Sequence, residues 1–318
     1  MPRTPSQATE IRQQVLRAIA LNREPGYHFC GNFLDMVLHH DHNGHSTVGV
    51  ACAAGLTETD GTLSPIALCV AADFTLANAV RSTSDPSARL ATVSLHLQFN
   101  GKPFKGDLYG EGELDSFFYE GQGKLGLSHA QIKTGGEVVA FGTSTFMVLP
   151  APPGKTLHPI AWINHPAPSV ELPGLEDLNE QERWIVERAE QALQDTADGQ
   201  RDFLSAFFQM QTHPTEQGAT ATLQNGPHVG NRVGHVQGGV TMGLALRAAN
   251  AALPTGWHPT GMSASFVSPG EGDELTAHAT VVHKGRLTAV VHVRVFAIDG
   301  RIALETITNH TRTQSTLT

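Results

Sequence analysis

One acidic side chain, Asp73, lies in an otherwise apolar segment, LCVAADFTLANAV, that covers residues 68–80. A carboxylate is costly to bury in such surroundings unless it is paired, hydrogen-bonded or used in a reaction. Loss of solvation raises the pKa of a carboxyl group toward the working range of a general base. Asp73 is therefore a candidate catalytic residue, and the alternative is a helix residue whose carboxylate is bonded to a nearby strand amide.

A second feature suited to chemistry is the turn Gln237-Gly238-Gly239, which stands at the start of an apolar helical segment in NRVGHVQGGVTMGLAL (231–246). Two glycines at a helix N-terminus let a carbonyl group approach bare backbone amides, where the helix dipole favours developing negative charge. Asn231, Gly234 and His235 precede this turn and are candidate binding residues. A Gly-Gly pair before a helix also occurs as a packing turn, so the pair alone does not decide its role.

The elements around Asp73 follow from hydrophobic periodicity. Residues 8–21 predict a helix, and residues 32–40 and 46–53 predict a hairpin about the Asn43-Gly44 turn. Ser64 is suited to cap a helix whose first turn begins with Pro65, and this helix is apolar on every face, so it must be enclosed. Four strands are predicted after it, over residues 90–99, 106–120, 123–132 and 137–149.

The same order of elements recurs after a Pro-rich break at 151–153 and a helix predicted over Glu180–Leu193. FLSAFFQM (203–210) and GATATLQN (218–225) are interpreted as a hairpin, residues 238–253 as a helix, and residues 261–267, 273–282, 286–298 and 301–310 as strands. LHLQFNGKPFKGDLYGEGEL and MSASFVSPGEGDELTAHATV share an aromatic strand end, a Pro/Gly turn and a Gly-Asp strand start. The chain is therefore predicted to be an internal duplication.

The pattern Asn231, Gly234 and Gln237-Gly238-Gly239 resembles the N-x-x-G-x-x-H-G-G signature of hotdog thioesterases of the phenylacetyl-CoA type, with Gln237 in place of the usual histidine. The resemblance implies an α+β tandem (double) hotdog, in which two long antiparallel sheets each wrap around a central helix. It places a first hotdog domain with an N-terminal helix at 1–150, a linker with a helix at 151–200, and a second hotdog domain at 201–318.

Enzymes of this type carry a carboxylate nine residues after the histidine of the triplet. The same count from Ser64 reaches Asp73, whereas the count from Gln237 reaches Leu246. The first half thus has the acid without the glycine turn, and the second half has the turn without the acid. Because hotdog units pair so that the turn of one faces the acid of the other, the resemblance implies one working site, built from Asp73 and Gln237-Gly238-Gly239.

The segment ATVSLHLQF (91–99) resembles a strand of bacterial medium- and long-chain acyl-CoA thioesterases of the double-hotdog type, which implies that Thr92 helps to hold the attacking water. That subgroup also uses a glutamine where this chain has Ser144. The implied reaction is hydrolysis of an acyl thioester, with acyl-CoA as the expected partner. Asp73 would act as general base or as nucleophile, and Gln237 would orient water or carbonyl.

Two other functions remain open. His235 keeps a hotdog hydratase or dehydratase under consideration, although no G-D-x-N-P-x-H segment occurs. Because each half lacks one component of the site, a non-catalytic acyl-CoA-binding protein is a further alternative. Four basic residues at strand ends are either surface charges or contacts for the phosphates of coenzyme A: Lys102, Lys105, Lys284 and Arg286.

Composition limits the remaining classes. With 30 acidic and 21 basic residues, the chain is not expected to bind nucleic acid or an anionic membrane. No apolar leader and no membrane span are evident, and three widely spaced cysteines suggest reduced thiols, so a cytoplasmic location is expected. Histidines 39, 40, 42 and 45 surround a hairpin tip and are not expected to bind a metal. We expect no cofactor, and a homo-oligomer that is a dimer or trimer of double hotdogs.

Overall fold

The structure is a computed structural model that describes residues 2–26, 28–85, 88–120, 123–151, 154, 156–159 and 168–312. The α-helices of these ranges are α1 (Pro5–Asn22), α2 (Phe29–Phe33), α3 (Pro65–Arg81), α4 (Glu180–Asp195), α5 (Phe203–Phe207) and α6 (Gly238–Ala251). The strands of the first half are β1 (Val37–His42), β2 (His45–Val50), β3 (Arg89–Phe99), β4 (Leu108–Glu120), β5 (Gly123–Thr134) and β6 (Glu137–Leu149). Those of the second half are β7 (Gln211–Thr215), β8 (Gly218–Gln224), β9 (Trp257–Phe266), β10 (Glu274–Lys284), β11 (Thr288–Phe296) and β12 (Ile302–Arg312).

The strands form one antiparallel sheet in the order β1-β2-β4-β5-β6-β3-β9-β12-β11-β10-β8-β7. Each half contributes six strands in the same order, counted from its outer edge, so the predicted duplication is confirmed. The two halves meet where β3 pairs with β9, with Leu95 opposite Ala264 and Leu97 opposite Met262. The two sheets predicted from the sequence are thus continuous across this junction, and each half of the sheet wraps around its own helix.

Helices α3 and α6 are the two central helices, and they are in backbone contact. A Cβ atom added at Gly239 would lie 2.4 Å from the Cα of Val70, and one added at Gly243 would lie 3.0 Å from the Cα of Ile66. Small residues at these crossings let the helix axes approach more closely than larger side chains would allow. The contact brings the N-terminus of α6 beside the middle of α3, where Asp73 lies.

The sequence interpretation of FLSAFFQM as a strand is wrong, because residues Phe203–Phe207 form helix α5. The carboxylate of Asp202 caps this helix by accepting a hydrogen bond of 2.8 Å from the backbone N–H of Ser205. Consecutive apolar residues are buried here, which a strand with one solvated face does not allow. The hairpin partner of β8 is β7, which begins only at Gln211.

The predicted strand at 32–40 is also wrong at its start, because a short buried helix stands there instead. Helix α2 occupies its first residues, and β1 begins at Val37. Asp35 and Gln209, at corresponding places after α2 and α5, both have positive φ angles, of 49° and 50°. The matching left-handed residues show that the two short helices are copies of one element.

Four phenylalanines from α2 and α5 pack together in the core between the halves. Phe29, Phe33, Phe203 and Phe207 are fully buried, and their ring centroids lie 5.3 to 6.2 Å apart. Aromatic pairs at such separations add about 0.5–1.5 kcal/mol each beyond the area they bury. This cluster therefore holds the two halves together at a distance from the β3–β9 junction.

The helices predicted at 8–21 and Glu180–Leu193 are confirmed as α1 and α4. They are tied together by an ion pair in which the Arg12 guanidinium lies 2.6 Å from Glu190. None of the helices in the described ranges is long and apolar enough to span a bilayer.

Candidate active site

Asp73 is buried in the middle of α3, where its side chain is 6% exposed. Thr92 Oγ1, from β3, donates a hydrogen bond of 3.1 Å to Oδ1 of Asp73. Gln237 Nε2 donates one of 2.7 Å to Oδ2, and the backbone N–H of Gly239 also bonds to the carboxylate. The structure thus brings Asp73, Thr92, Gln237 and Gly239 together, and two of the three donors come from the second half of the chain.

Burial raises the pKa of the Asp73 carboxyl group to about 6, while the hydrogen bonds from Thr92, Gln237 and Gly239 act in the opposite direction. Burial favours the neutral acid because the carboxylate loses its solvation, and each donor favours the charged form. Because the first effect is the larger, Asp73 is a stronger proton acceptor than an exposed aspartate. It is nevertheless largely ionised at neutral pH.

Gln237 is fixed by its place at the N-cap of α6. Its Oε1 accepts a hydrogen bond of 3.0 Å from the backbone N–H of Val240, which leaves the NH₂ group of the same amide directed at Asp73. One side chain therefore caps the helix and bonds the carboxylate at the same time. The amide satisfies both partners without carrying a charge.

Asn231 shapes the turn that leads to Gln237. Its Oδ1 accepts hydrogen bonds from the backbone N–H groups of Val233 and His235, at 3.0 and 3.1 Å. Gly234 has a φ angle of 92°, which glycine adopts without strain. His235 Nε2 lies 3.1 Å from Glu271 Oε1 at the edge of the site.

The two glycines of the turn differ in what they face. Gly238 lines a cavity beside Asp73, and a Cβ atom added there would lie 3.2 Å from Asp73 Oδ2. Gly239 is packed against the backbone of α3 and is not among the cavity-lining residues. The N–H of Gly239 is directed at Asp73, so of this pair Gly238 is the glycine placed to meet a ligand.

The cavity has a volume of about 350 Å³. Asp73, Thr92, Gln237 and Gly238 lie in its wall, together with the candidate binding residues Asn231 and His235. Its apolar wall consists mainly of Phe74, Phe146, Leu157 and Phe266. A mostly apolar cavity with a few convergent polar groups is typical of a small-molecule site.

Sequence reasoning missed the other polar residues of the cavity wall, which are His28, Asn78, Arg81, Arg89, Arg232, Thr241 and Ser268. A signal was available for Arg81, since it follows Asp73 by eight residues, a spacing that places two residues on neighbouring parts of one helix face. The four basic residues considered for coenzyme A phosphates do not line this cavity. Ser144 also lies outside the lining and donates its hydroxyl hydrogen bond to the backbone oxygen of Ser94.

The corresponding position in the second half is occupied by Leu246, which is 1% exposed. Ser64 and Pro65 stand where the glycine turn would be, and Ser64 Oγ accepts a hydrogen bond of 3.3 Å from the backbone N–H of Ile66. Leu246 offers no proton acceptor, and Pro65 has no amide hydrogen.

Within the described ranges, no group of three or more His, Cys, Asp or Glu side chains is arranged to hold a metal ion.

Comparison with known proteins gives a family match for part of the second half and similar folds for most of the chain. Residues 227–311 match the acyl-CoA thioesterase N-terminal domain family. No curated protein is a significant sequence match. Among solved structures, an oleoyl thioesterase from Lactobacillus plantarum is 9% identical with a TM-score of 0.54, over 88% of this chain and 100% of that chain.

Two further structures resemble most of the chain. An acyl-CoA thioesterase II from Mycobacterium marinum is 15% identical with a TM-score of 0.51, covering 90% of this chain and 97% of that one. A thioesterase from Novosphingobium aromaticivorans is 11% identical with the same TM-score of 0.51, covering 88% of this chain and 99% of that one. At such identities these likenesses show the fold.

Proposed function

We propose that this double-hotdog protein, whose second half contains an acyl-CoA thioesterase domain, hydrolyses acyl thioesters at the cavity beside Asp73. The observation that carries the proposal is the buried Asp73 carboxylate, hydrogen-bonded by Thr92 and Gln237 and facing Gly238 at the N-terminus of α6. A base and a helix N-terminus at one apolar cavity are the two components that thioester hydrolysis requires. Acyl-CoA is the substrate that the family match supports.

In this mechanism Asp73 takes a proton from a water molecule, and the water oxygen attacks the thioester carbonyl carbon. The N–H of Gly238 and the dipole of α6 stabilise the negative charge on the carbonyl oxygen. Collapse of the tetrahedral intermediate breaks the carbon–sulfur bond, and the proton held by Asp73 goes to the leaving thiolate. The products are the free acid and the thiol.

Thr92 and Gln237 hold the carboxylate in position from two sides, so that one of its remaining lone pairs faces the cavity. A direct attack by Asp73 would instead form an anhydride between the enzyme and the acyl group. Single-turnover hydrolysis in ¹⁸O-water separates the two routes. We expect the label in the product acid after the first turnover and not in Asp73.

The direct test is release of free thiol from a panel of short, long, branched and aromatic acyl-CoA esters. Hydrolysis of at least one of them, with formation of the matching acid, is the expected result. His235 and its partner Glu271 keep hydration of an enoyl thioester as a second candidate, and that reaction would consume the double bond without releasing thiol. Binding without any turnover would instead favour an acyl-CoA-binding protein.

We also propose that the protein acts in the cytoplasm as a homo-oligomer, a dimer or trimer of double hotdogs. The resemblance of the chain to hotdog thioesterases supports this proposal. Sedimentation of the purified protein tests the assembly, and a monomer at micromolar concentration would contradict it.

The activity should depend on pH through Asp73. Because burial raises its pKa to about 6 and the ionised form accepts the proton, kcat/KM should rise as pH increases through about 6 and level off above it. Thr92→Val removes a donor that favours the charged form, so the midpoint should move to higher pH. Ser94→Ala is the matched control on β3, since its hydroxyl lies 2.9 Å from Thr145 Oγ1. A midpoint unmoved by Thr92→Val would mean that Thr92 does not position Asp73.

Gly238→Ala should lower kcat by about 10²-fold, as loss of one oxyanion donor does. The added methyl group would stand 3.2 Å from Asp73 Oδ2 and 3.3 Å from the Phe266 ring, where the carbonyl must enter. Steady-state kinetics measures the loss, and thermal unfolding should show a folded protein. An unchanged kcat would place the oxyanion site away from Gly238.

A further inference from the structure

The cavity beside Asp73 carries more positive charge than the chain as a whole. The protein has a net charge of −9, yet three arginines line this cavity: Arg81, Arg89 and Arg232. Asp73 is the one carboxylate among the described lining residues. A cavity that served only uncharged acyl groups would have no use for cationic side chains in its wall, since burying them costs solvation.

Arg81 is placed along the same helix as Asp73. It is the last residue of α3, eight residues after Asp73, which corresponds to about 12 Å along the helix axis. Arg81 and Asp73 both line the cavity, so their side chains border the same space. Arg81 does not pair with Asp73, and the cavity wall runs between them past Ala77 and Asn78.

The described residues use only a small part of the hydrogen-bonding capacity of Arg81. A guanidinium has five N–H donors, and the described residues accept one bond from it, of 3.1 Å from Nη1 to the backbone oxygen of Ala88. Its Nε is buried without a partner among the described residues. Asn78, which is 1% exposed and lines the same cavity, likewise has an Nδ2 that is buried without a partner in the described part of the chain. These two buried donors of the cavity wall, which no described residue satisfies, are suited to an acceptor that enters the cavity.

The charges around Arg81 also favour an incoming anion. Burial lowers the pKa of Arg81 to about 10, and the charge of Arg232 lowers it further while that of Asp41 raises it. Asp41 does not line the cavity, and burial raises its own pKa to about 6. Arg81 and Arg232 line the same cavity, so an anion bound beside both would reduce the repulsion between their charges.

The corresponding positions of the second half carry neither donor. Asn78 and Arg81 are 14 and 17 residues after Ser64. The residues 14 and 17 positions after Gln237 are Ala251 and Pro254. Asn78 and Arg81 therefore have no polar counterparts in the second half and occur only in the half that has Asp73. This links them to the site rather than to the duplicated fold.

From this geometry we infer that Arg81 and Asn78, assisted by Arg232, bind an anionic group of the substrate, and that the group is a carboxylate at the far end of the acyl chain. The inference rests on the proposed thioester hydrolysis and assigns its substrate class, the thioesters of dicarboxylic acids. The thioester carbonyl lies at Asp73 and Gly238, the carbon chain lies against Phe74 and Phe146, and the terminal carboxylate meets the Arg81 guanidinium.

The test compares esters matched in length. Hydrolysis of succinyl-, glutaryl-, adipoyl- and suberoyl-CoA is measured beside butanoyl-, pentanoyl-, hexanoyl- and octanoyl-CoA. We expect at least one dicarboxylic ester to exceed its uncharged counterpart in kcat/KM by about tenfold or more, as a charge-assisted bond allows. Arg81→Met should remove this preference, and Arg81→Lys should retain part of it. Arg294→Met, on the exposed face of β11, is the control and should leave the ratio unchanged. Equal or lower rates for every dicarboxylic ester would overturn the inference.

The same series distinguishes the acyl carboxylate from the phosphates of coenzyme A. Acyl-pantetheine esters lack the diphosphate, and the preference for the dicarboxylic acyl group should persist in them. If Arg81→Met lowers kcat/KM for all CoA esters and for none of the pantetheine esters, the diphosphate binds at Arg81. That result would contradict the assignment.

A binding measurement separates failure of the inference from failure of the proposed hydrolysis. If no thioester is hydrolysed, calorimetry with non-hydrolysable S-(carboxyalkyl)-CoA and S-alkyl-CoA thioethers still measures the preference. Tighter binding of the carboxylated thioether by about tenfold, lost in Arg81→Met, would support the inference without catalysis. Equal affinities would overturn it.

Discussion

Asp73→Asn is expected to lower kcat by about 10³-fold or more, because an amide cannot accept the proton of the attacking water. Asparagine has nearly the shape of aspartate, and its oxygen still accepts the bond from Thr92 or from Gln237. The fold should therefore persist, which thermal unfolding and circular dichroism check. Steady-state and single-turnover rates on the best acyl-CoA ester measure the loss.

Leu246→Ala is the matched control for this prediction, since Leu246 occupies the corresponding buried position of α6. It should reduce the free energy of unfolding by about 2–5 kcal/mol as a packing change. It should not lower kcat as Asp73→Asn does. A non-hydrolysable thioether analogue should bind with one equivalent per chain. Two equivalent sites, or residual activity in Asp73→Asn that disappears on changing Leu246, would show that the second half retains a working site.

Gly239→Ala is expected to produce the largest loss of stability at the site, about 3 kcal/mol. The added methyl group would stand 2.4 Å from the Cα and 2.6 Å from the backbone nitrogen of Val70, so α3 and α6 must separate. Separation also withdraws the N–H of Gly239 from Asp73, so activity should fall with stability. Chemical denaturation and kinetics on the same preparation measure both effects.

Gly243→Ala serves as the graded comparison one helical turn further along α6. Its methyl group would meet Ile66 at 3.0 Å, which requires a smaller shift. Helix propensity alone would make both substitutions stabilising by about 1 kcal/mol. A Gly239→Ala protein that is as stable as wild type would mean that the two helices are not in close contact at this crossing.

The duplicated fold was predictable from the sequence because its signals are local and repeated. Ser64 and Pro65 start α3 as expected, with the Ser64 hydroxyl capping the Ile66 amide. The strands of each half follow from their alternation. The errors at 32–36 and at 203–210 come from short helices whose apolar residues are all buried, since a brief apolar run fits a strand or a buried helix equally well.

The candidate site was predictable in its main residues and not in its geometry. Complementary losses in the two halves pointed to Asp73 with Gln237, and the structure places these side chains 2.7 Å apart. Sequence spacing could not show that Gly239 faces Asp73 rather than the cavity, because that depends on how closely α3 and α6 pack. Arg81 was missed because a single arginine at a helix end is ordinary until its neighbours are known.

The hydrogen bond between Gln237 and Asp73 joins residues that are 164 positions apart in the chain. Contacts of such long range form late in folding, since closing a long loop must precede the gain that the contact brings. Each half can complete its own sheet and helix before the junction of β3 with β9 and the phenylalanine cluster bring the halves together. In a refolding chain, catalytic competence would then be among the last properties to appear, and a newly made first half would hold Asp73 with Thr92 as its one donor of the three until the second half arrived.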